Sequence, residues 1–243
     1  MLNLMALSVD DLEGVRIASE NRFRALTRDE ADSDGEIRGF GLTEDVPEVK
    51  QQRAVVDGLI ALEHQAVLNL NRQVRKHPLW TRYAREQKGI GEKQFARLLA
   101  VIGDPYWNDL HGRPRTVSEL WAYTGLHVIH AGGEDAPGVA PKRTKGQKSN
   151  WNEEARKRVW VITGSVLKAQ GPLSEVYYAA RKKYEDSTHA VNCVRCGPAG
   201  KPALPGSPLS LAHQHARALR IVGKTILRDL WVTARDIHVE LAG

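Results

Sequence analysis

Residues 47–76 read PEVKQQRAVVDGLIALEHQAVLNLNRQVRK. Within them Val49, Val56, Ile60, Val67, Leu70 and Val74 recur at steps of three, four and seven residues, the period of an amphipathic α-helix. Pro78 closes the stretch, because proline disfavours helical geometry in the residue before it. The spacing predicts one helix over 47–76, an arm that could also serve as a coiled-coil-like seam for a homodimer. Arg53 and Glu63 interrupt that seam, so packing into the chain's own core is the competing expectation.

Upstream, residues 8–28 form an expected first helix, with Ser8 as N-cap and Leu12, Val15, Ala18 and Phe23 on one face. The acidic, glycine-containing connector DEADSDGEIRGFGLTEDVP reads as a loop. Its Asp29, Asp32, Asp34 and Glu36 suit solubility better than a two-metal centre. Downstream, a short helical segment leads to KGIGEKQFARLLAVIGDP, and helices are expected over 117–124, 152–169, 173–184 and 209–241. Two Gly/Pro-rich stretches, HAGGEDAPGVAPKRTKGQKSN and CGPAGKPALPGSP, separate them. No segment alternates with period two for long enough to build a sheet. The expected fold class is all-α: a long amphipathic helix, a helix-hairpin-helix domain, a Pro/Gly-rich Cys-containing loop and a long C-terminal helix. The expected segments are 1–45, 46–185 and 186–243.

The 243 residues carry 35 Lys and Arg against 29 Asp and Glu, a net charge of +6. The distribution matters more than the sum. Between Lys142 and Arg158 lie seven basic residues and two glutamates, a stripe that favours a polyanionic partner over an acidic small molecule. No apolar run approaches the roughly 20 residues needed to span a bilayer. The start, MLNLMALSVDDLEG, lacks the basic flank of a secretory signal. A cytoplasmic protein without a membrane partner is the expectation.

Lys88-Gly89-Ile90-Gly91 is the sharpest local motif. Glycines around one apolar residue suit a tight turn, with Ile90 plugged into the core and backbone N–H groups of Gly89 and Gly91 pointing outward. Followed by a helix N-terminus, such donors can hold one phosphate, with Lys88 and Lys93 adding charge. A second turn, LWAYTGLHV, would supply the paired hairpin. Nucleic acid is therefore the expected partner, duplex DNA ahead of RNA. Beyond the hairpin, Asn150 and Glu153 suit a helix cap, with Val159, Ile162 and Val166 facing inward. Arg156, Lys157 and the loop residues Lys142, Arg143, Lys145 and Lys148 are left on the nucleic-acid side. In the last helix Leu219, Val222, Ile226, Leu230 and Ala234 are expected in the core, and Arg217, Arg220, Lys224 and Arg228 extend the basic surface. Trp121 and Trp160 are expected in the core.

Cys193-Val194-Arg195-Cys196 is a common half-site for structural zinc, since one tight turn aims both thiolates at one ion. Cys193, Cys196, His213 and His215 would complete a Cys2His2 set, with His189 the alternative should His213 and His215 diverge on a helix. A loop with four prolines from Pro198 to Pro208 has little core and would gain order from a metal.

The order of these features, the long helix, GIGEKQFARLLAVIGDP, ELWAYTGLHV, a Gly-rich turn and KGQKSNWNEEARKRVW, resembles the C-terminal domain of the DEDD-class insertion-sequence transposases, which are guided by a bridge RNA. The resemblance covers roughly residues 50–185. The chain is still more similar to stand-alone helix-hairpin-helix proteins of actinobacterial phages, which places it in a bacterial host cell or nucleoid. Those transposases carry an acidic RNase H-like domain ahead of the arm, whereas only about 45 residues precede it here. They also place a nucleophilic serine after the second hairpin. The matching turn, His130-Ala131-Gly132-Gly133, reads alanine there, and the nearby Ser118 and Ser149 suit helix caps better. The resemblance implies a non-catalytic DNA-binding accessory factor in recombination, working with a separate recombinase or transposase. A strand-transfer protein with its nuclease domain on another chain, or a structured-RNA binder, are the alternatives.

Overall fold

The computed structural model describes residues 1–130, 138–198 and 201–243. The described residues are mainly helical, with eight α-helices and one two-residue-per-strand hairpin. They divide into two compact units, Met1–Val74 and Arg75–Gly243. The boundary lies at Val74 rather than near residues 45 and 185, because the 47–76 arm packs on the helix before it.

In the first unit α1 (Leu2–Thr27) and α2 (Pro47–Val74) run antiparallel. The buried α2 residues Val49, Val56, Glu63 and Leu70 fall seven apart, the repeat of a helix seam. Glu63 occupies one of those positions and is held by Arg16 of α1, whose Nε lies 2.5 Å from a Glu63 oxygen. That hydrogen bond is the largest of the influences raising the Arg16 pKa above its ordinary value. Arg53 instead sits over the Phe23 ring at 5.4 Å. Both seam interruptions are thus engaged by α1, as the core-packing alternative requires. α1 begins six residues before Ser8, which is no N-cap: its hydroxyl donates to the Leu4 carbonyl at 3.0 Å, a bond compatible with the helix interior. The connector is tied down by ion pairs from Arg28 to Asp32 and from Arg38 to Asp32 and Asp34.

The second unit opens with α3 (Pro78–Arg82), started by His77, whose ring nitrogen accepts from the Leu79 N–H. A single 3-10 turn, the Lys88–Gly91 motif and α4 (Glu92–Ile102) follow. Then come β1 (Trp107–Asn108), β2 (Arg113–Pro114), α5 (Val117–Tyr123), α6 (Glu153–Ala169), α7 (Pro172–Lys183) and α8 (Leu211–Ala242). α8 is the spine, touching α3, α5, α6 and α7, while α6 packs between α4 and α8. The inward faces are those expected: Phe95, Leu98, Leu99 and Ile102 of α4, Val159, Ile162 and Val166 of α6, and Leu219, Val222, Ile226, Leu230 and Ala234 of α8 are all buried. At Gly223 α8 comes so close to α6 that a Cβ would lie 2.8 Å from a Val159 methyl.

Caps fix the helix starts. α6 is capped by Asn152, not Asn150: the Asn152 amide oxygen accepts from Ala155 N at 2.9 Å. Ser149 bonds the Glu153 carboxylate instead. α5 starts on a reciprocal Thr116–Glu119 capping box, with Ser118 inside the helix. The expected second hairpin is not one. Leu126 N bonds Trp121 O and Gly125 N bonds Ala122 O, the 6→1 and 5→2 pattern that ends a helix. Gly125 has φ +68, and a side chain there would strike Trp151. The chain leaves extended, pairing Ile129 with Val139, and among the described residues the next helix begins at Glu153.

Candidate metal centre and basic cleft

The Lys88–Gly91 turn packs against α6. Ile90 N bonds Gln87 O, and Gly89 has φ +89, the arrangement of a turn that demands glycine at its third position. Ile90 is buried as expected. The bare face of Gly89, however, lies against the α6 backbone: a Cβ would be 2.6 Å from Val166 Cα and 2.7 Å from Ser165 O. Close packing therefore accounts for this glycine. Gly91 is the α4 N-cap with an ordinary φ of −85, and Glu92 beside it takes a two-pronged ion pair from Arg75. Lys88 lies over Gly171 at the start of α7, beside Pro172 and Glu175, and Lys93 stands in the first turn of α4.

The segment between α7 and α8 folds back on itself. Cys193 and Ala203 exchange both backbone hydrogen bonds at 2.9 Å, and His189 N and O bond Ser207 O and Gly206 N. His189 and Cys193, four residues apart on this extended arm, share one face. A turn closed by Cys196 N on Cys193 O returns the second thiol. Ser210 then caps α8 by accepting from His213 N, which sets His213 in the first helical turn facing the thiols. His189, Cys193, Cys196 and His213 each bring a ligand atom within 4.8 Å of the others. The His213 Nδ1 lies 3.4 Å from Cys196 Sγ and 3.8 Å from Cys193 Sγ. A tetrahedral ion with bonds of about 2.0–2.3 Å has ligand edges of about 3.3–3.8 Å.

His189 is the fourth member of this cluster, and His215 is not. Two residues on a helix point some 200° apart, so His215 turns away and its Nδ1 meets the Tyr177 hydroxyl at 2.7 Å, pinning α7 to α8. His189, by contrast, is buried with its Nε2 lacking a hydrogen-bond partner. The electrostatics suit ligation. Burial pushes the Cys196 thiol up, but bonds from Ser210 and Cys193 and the Arg195 charge outweigh it, leaving the pKa below the ordinary thiol value. Burial first, then Arg217 and His189, holds the His213 pKa below that of free imidazole. Both shifts favour the forms that bind metal, thiolate and neutral ring.

One wall of a cavity of about 440 Å³ is made by this cluster, through His189, Cys193 and His213. α6, α8 and the stretch between α5 and α6 that carries Leu126, Val128, Val139 and Lys142 supply the other walls. Lys142, Arg156, Arg195, Arg217, Arg220 and Lys224 all line it, and the described lining residues include no Asp or Glu. Three of the cations are partly buried, and burial is the first cause of the lowered pKa values of Arg156, Arg220 and Lys224. Neighbouring cations lower each further: Arg195 acts on Arg156, Arg156 on Arg220, and Arg220 on Lys224. Arg220 donates from Nη2 to the Leu126 and His127 carbonyls, while its Nη1 is buried without an acceptor. Aromatic faces hold three of the heads: Trp151 under Arg156, Tyr184 under Arg217 and Trp121 under Lys224.

No protein family, characterised protein or solved structure matches the chain.

Of the residues expected on the nucleic-acid side, the fold brings Lys142 and Arg156 into this cleft, joined by Arg217, Arg220 and Lys224 of α8. Arg143 pairs with Glu153 and Lys157 with Glu154 outside it, and Lys145 and Lys148 are exposed on the loop. Lys88, Gly89, Ile90, Gly91 and Lys93 contribute no lining residue. Arg195 was not singled out by sequence, although its place inside the Cys-x-x-Cys turn put it beside the metal cluster. Trp160, expected in the core, is half exposed and lines the cleft. Trp121 is partly buried, its indole N–H on the Lys224 carbonyl. Ala131, Gly132 and Gly133, the turn matched to the transposase serine, lie outside the described residues. Among the described residues, no helix is long and apolar enough to cross a membrane.

Proposed function

We propose that the chain is a non-catalytic nucleic-acid-binding protein whose basic cleft holds the phosphate backbone and whose Cys2His2 cluster carries one structural zinc ion. The observation behind the reading is the convergence of six cations from α6, α8 and two loops on one cavity whose described lining holds no carboxylate. Such a site has unbalanced positive charge in a partly desolvated setting, where a phosphate is the natural counter-ion. Zinc is favoured because two thiolates and two imidazoles form the closed tetrahedral set used for structural zinc. The accessory role in phage or mobile-element recombination, with a separate recombinase, rests on the sequence resemblance. Alanine at the serine position argues against strand cleavage by this chain.

The test is binding of a labelled oligonucleotide across a salt series. Each phosphate neutralised contributes about −0.7 to −0.9 to the slope of log K against log salt. Arg217→Gln and Lys224→Gln should each flatten that slope and weaken binding, with the circular-dichroism spectrum unchanged. A protein that binds no nucleic acid at low salt would end this reading.

A further inference from the structure

We infer that the cleft takes an unpaired nucleotide, so that the protein prefers single-stranded nucleic acid or a frayed end to an intact duplex. The inference rests on the nucleic-acid reading above and specifies what that site accepts. Three observations carry it. First, the site is a cavity and not a flat basic stripe. Its volume of about 440 Å³ falls in the range of small-molecule pockets, about 300–1,000 Å³. A double helix, whose major groove alone is about 12 Å wide, cannot enter such a space. One unstacked nucleotide can. Second, the cations are only part of the lining. Leu126, Val128, Val139, Val159 and Leu219 supply apolar surface, and Trp160 presents a half-exposed indole. A site built for phosphate alone has no use for that apolar floor, whereas a base has a face to lay on it. Third, Arg220 holds a buried Nη1 donor without an acceptor inside this lining. A buried donor of this kind costs free energy until something accepts from it, and a base oxygen or a phosphate would.

A nucleotide so placed lays its base against the apolar floor and Trp160 and leaves its phosphates to the rim cations, Arg217 and Lys142 among them. Readout is then by stacking and charge, tolerant of sequence. The base and phosphate chemistry is shared by DNA and RNA, which differ at the sugar 2′ position, and the experiment separates the two.

The experiment compares four short labelled probes by fluorescence anisotropy with the metal-loaded full chain: single-stranded DNA, single-stranded RNA, a blunt DNA duplex, and a DNA strand of equal charge with abasic sites. Val191→Trp, at an exposed position on the cleft wall, narrows the space without changing charge. The expected result is about tenfold tighter binding of a single strand than of duplex, the weight of one stacked base. The abasic strand should lose a similar factor, and Val191→Trp should abolish the preference while keeping helicity, metal content and salt slope. Preference for the DNA or the RNA strand identifies the source and supports the inference either way. Equal binding of duplex, abasic and normal strands overturns it and leaves the nucleic-acid reading standing. Binding of none of the four at low salt removes both.

Discussion

Glu119 shows how a single half-buried residue can report on local order. It closes the α5 capping box and takes two hydrogen bonds from Arg113, and its pKa is held at about 2, first by Arg113 and then by the Thr116 backbone. A carboxylate with a depressed folded pKa stabilises the fold above its unfolded value of about 4.3. That contribution is lost as pH falls from there toward 2. An NMR titration should find the Glu119 midpoint near 2 in the native chain and shifted up in Arg113→Gln. The His189, Cys193, Cys196 and His213 cluster invites a second residue-scale measurement. Cys196→Ser should remove bound zinc, His189→Ala should weaken it strongly, and His215→Ala should leave it in place, all read by metal content per chain. Retention in His189→Ala with loss in His215→Ala would return the fourth position to His215. Cys193, Cys196 and His213 were legible from spacing alone. The choice between His189 and His215 was not, because it depends on where α8 begins: with Ser210 as cap, His213 faces the thiols and His215 is carried round to Tyr177.

At the scale of elements, hydrophobic period carried most of the fold: α4, α6 and α8 bury the residues their spacing assigns, and α2 buries Val49, Val56, Leu70 and Val74 while Ile60 stays exposed and Val67 half-buried. Glycine was harder to read. Gly89 and Gly125 have the same one-letter signature, yet one forms a turn into a helix against α6 and the other ends a helix under Trp151. Only the partner across the contact distinguishes them, and that partner lies far away in sequence. Gly89→Val should therefore act on stability: the left-handed φ and the Val166 contact both oppose a side chain. The expected loss is about 2 kcal/mol or more, from backbone strain of about 1–3 kcal/mol with crowding added. Leu230→Ala on the α8 spine, where the side chain is fully buried, should cost about 2–5 kcal/mol as a control for core loss. Chemical denaturation measures both. A Gly89→Val chain of unchanged stability would mean that the turn can move away from α6.

For the whole molecule the consequence of the fold is a shared wall. His189, Cys193 and His213 belong both to the metal cluster and to the cleft, and Arg195, one of the six cations, sits inside the Cys-x-x-Cys turn. Among the described residues this segment has little apolar core of its own: two isolated backbone bridges, the cap at Ser210, the buried Leu209 and the bonds of Gln214 to the Glu185 and Leu209 carbonyls hold it. A metal ion bound to four side chains contributes ordering free energy that such a loop cannot obtain from burial. Chelation should then loosen this segment and the first turn of α8 while sparing the rest of the helices. The α6, α7 and α8 cores stay packed through Val159, Ile162, Leu227 and their neighbours, so helicity should change little. Nucleic-acid affinity should fall, because Arg195 is no longer presented and the cavity loses a side. The salt slope should fall with it by about one contact, since each phosphate released from a cation removes about −0.7 to −0.9. Anisotropy titrations before and after chelation, followed by zinc repletion, read both quantities. Recovery on repletion ties the loss to the metal. A chelated protein that binds as tightly, with the same slope, would separate the two sites and make the metal cluster a staple for the loop alone.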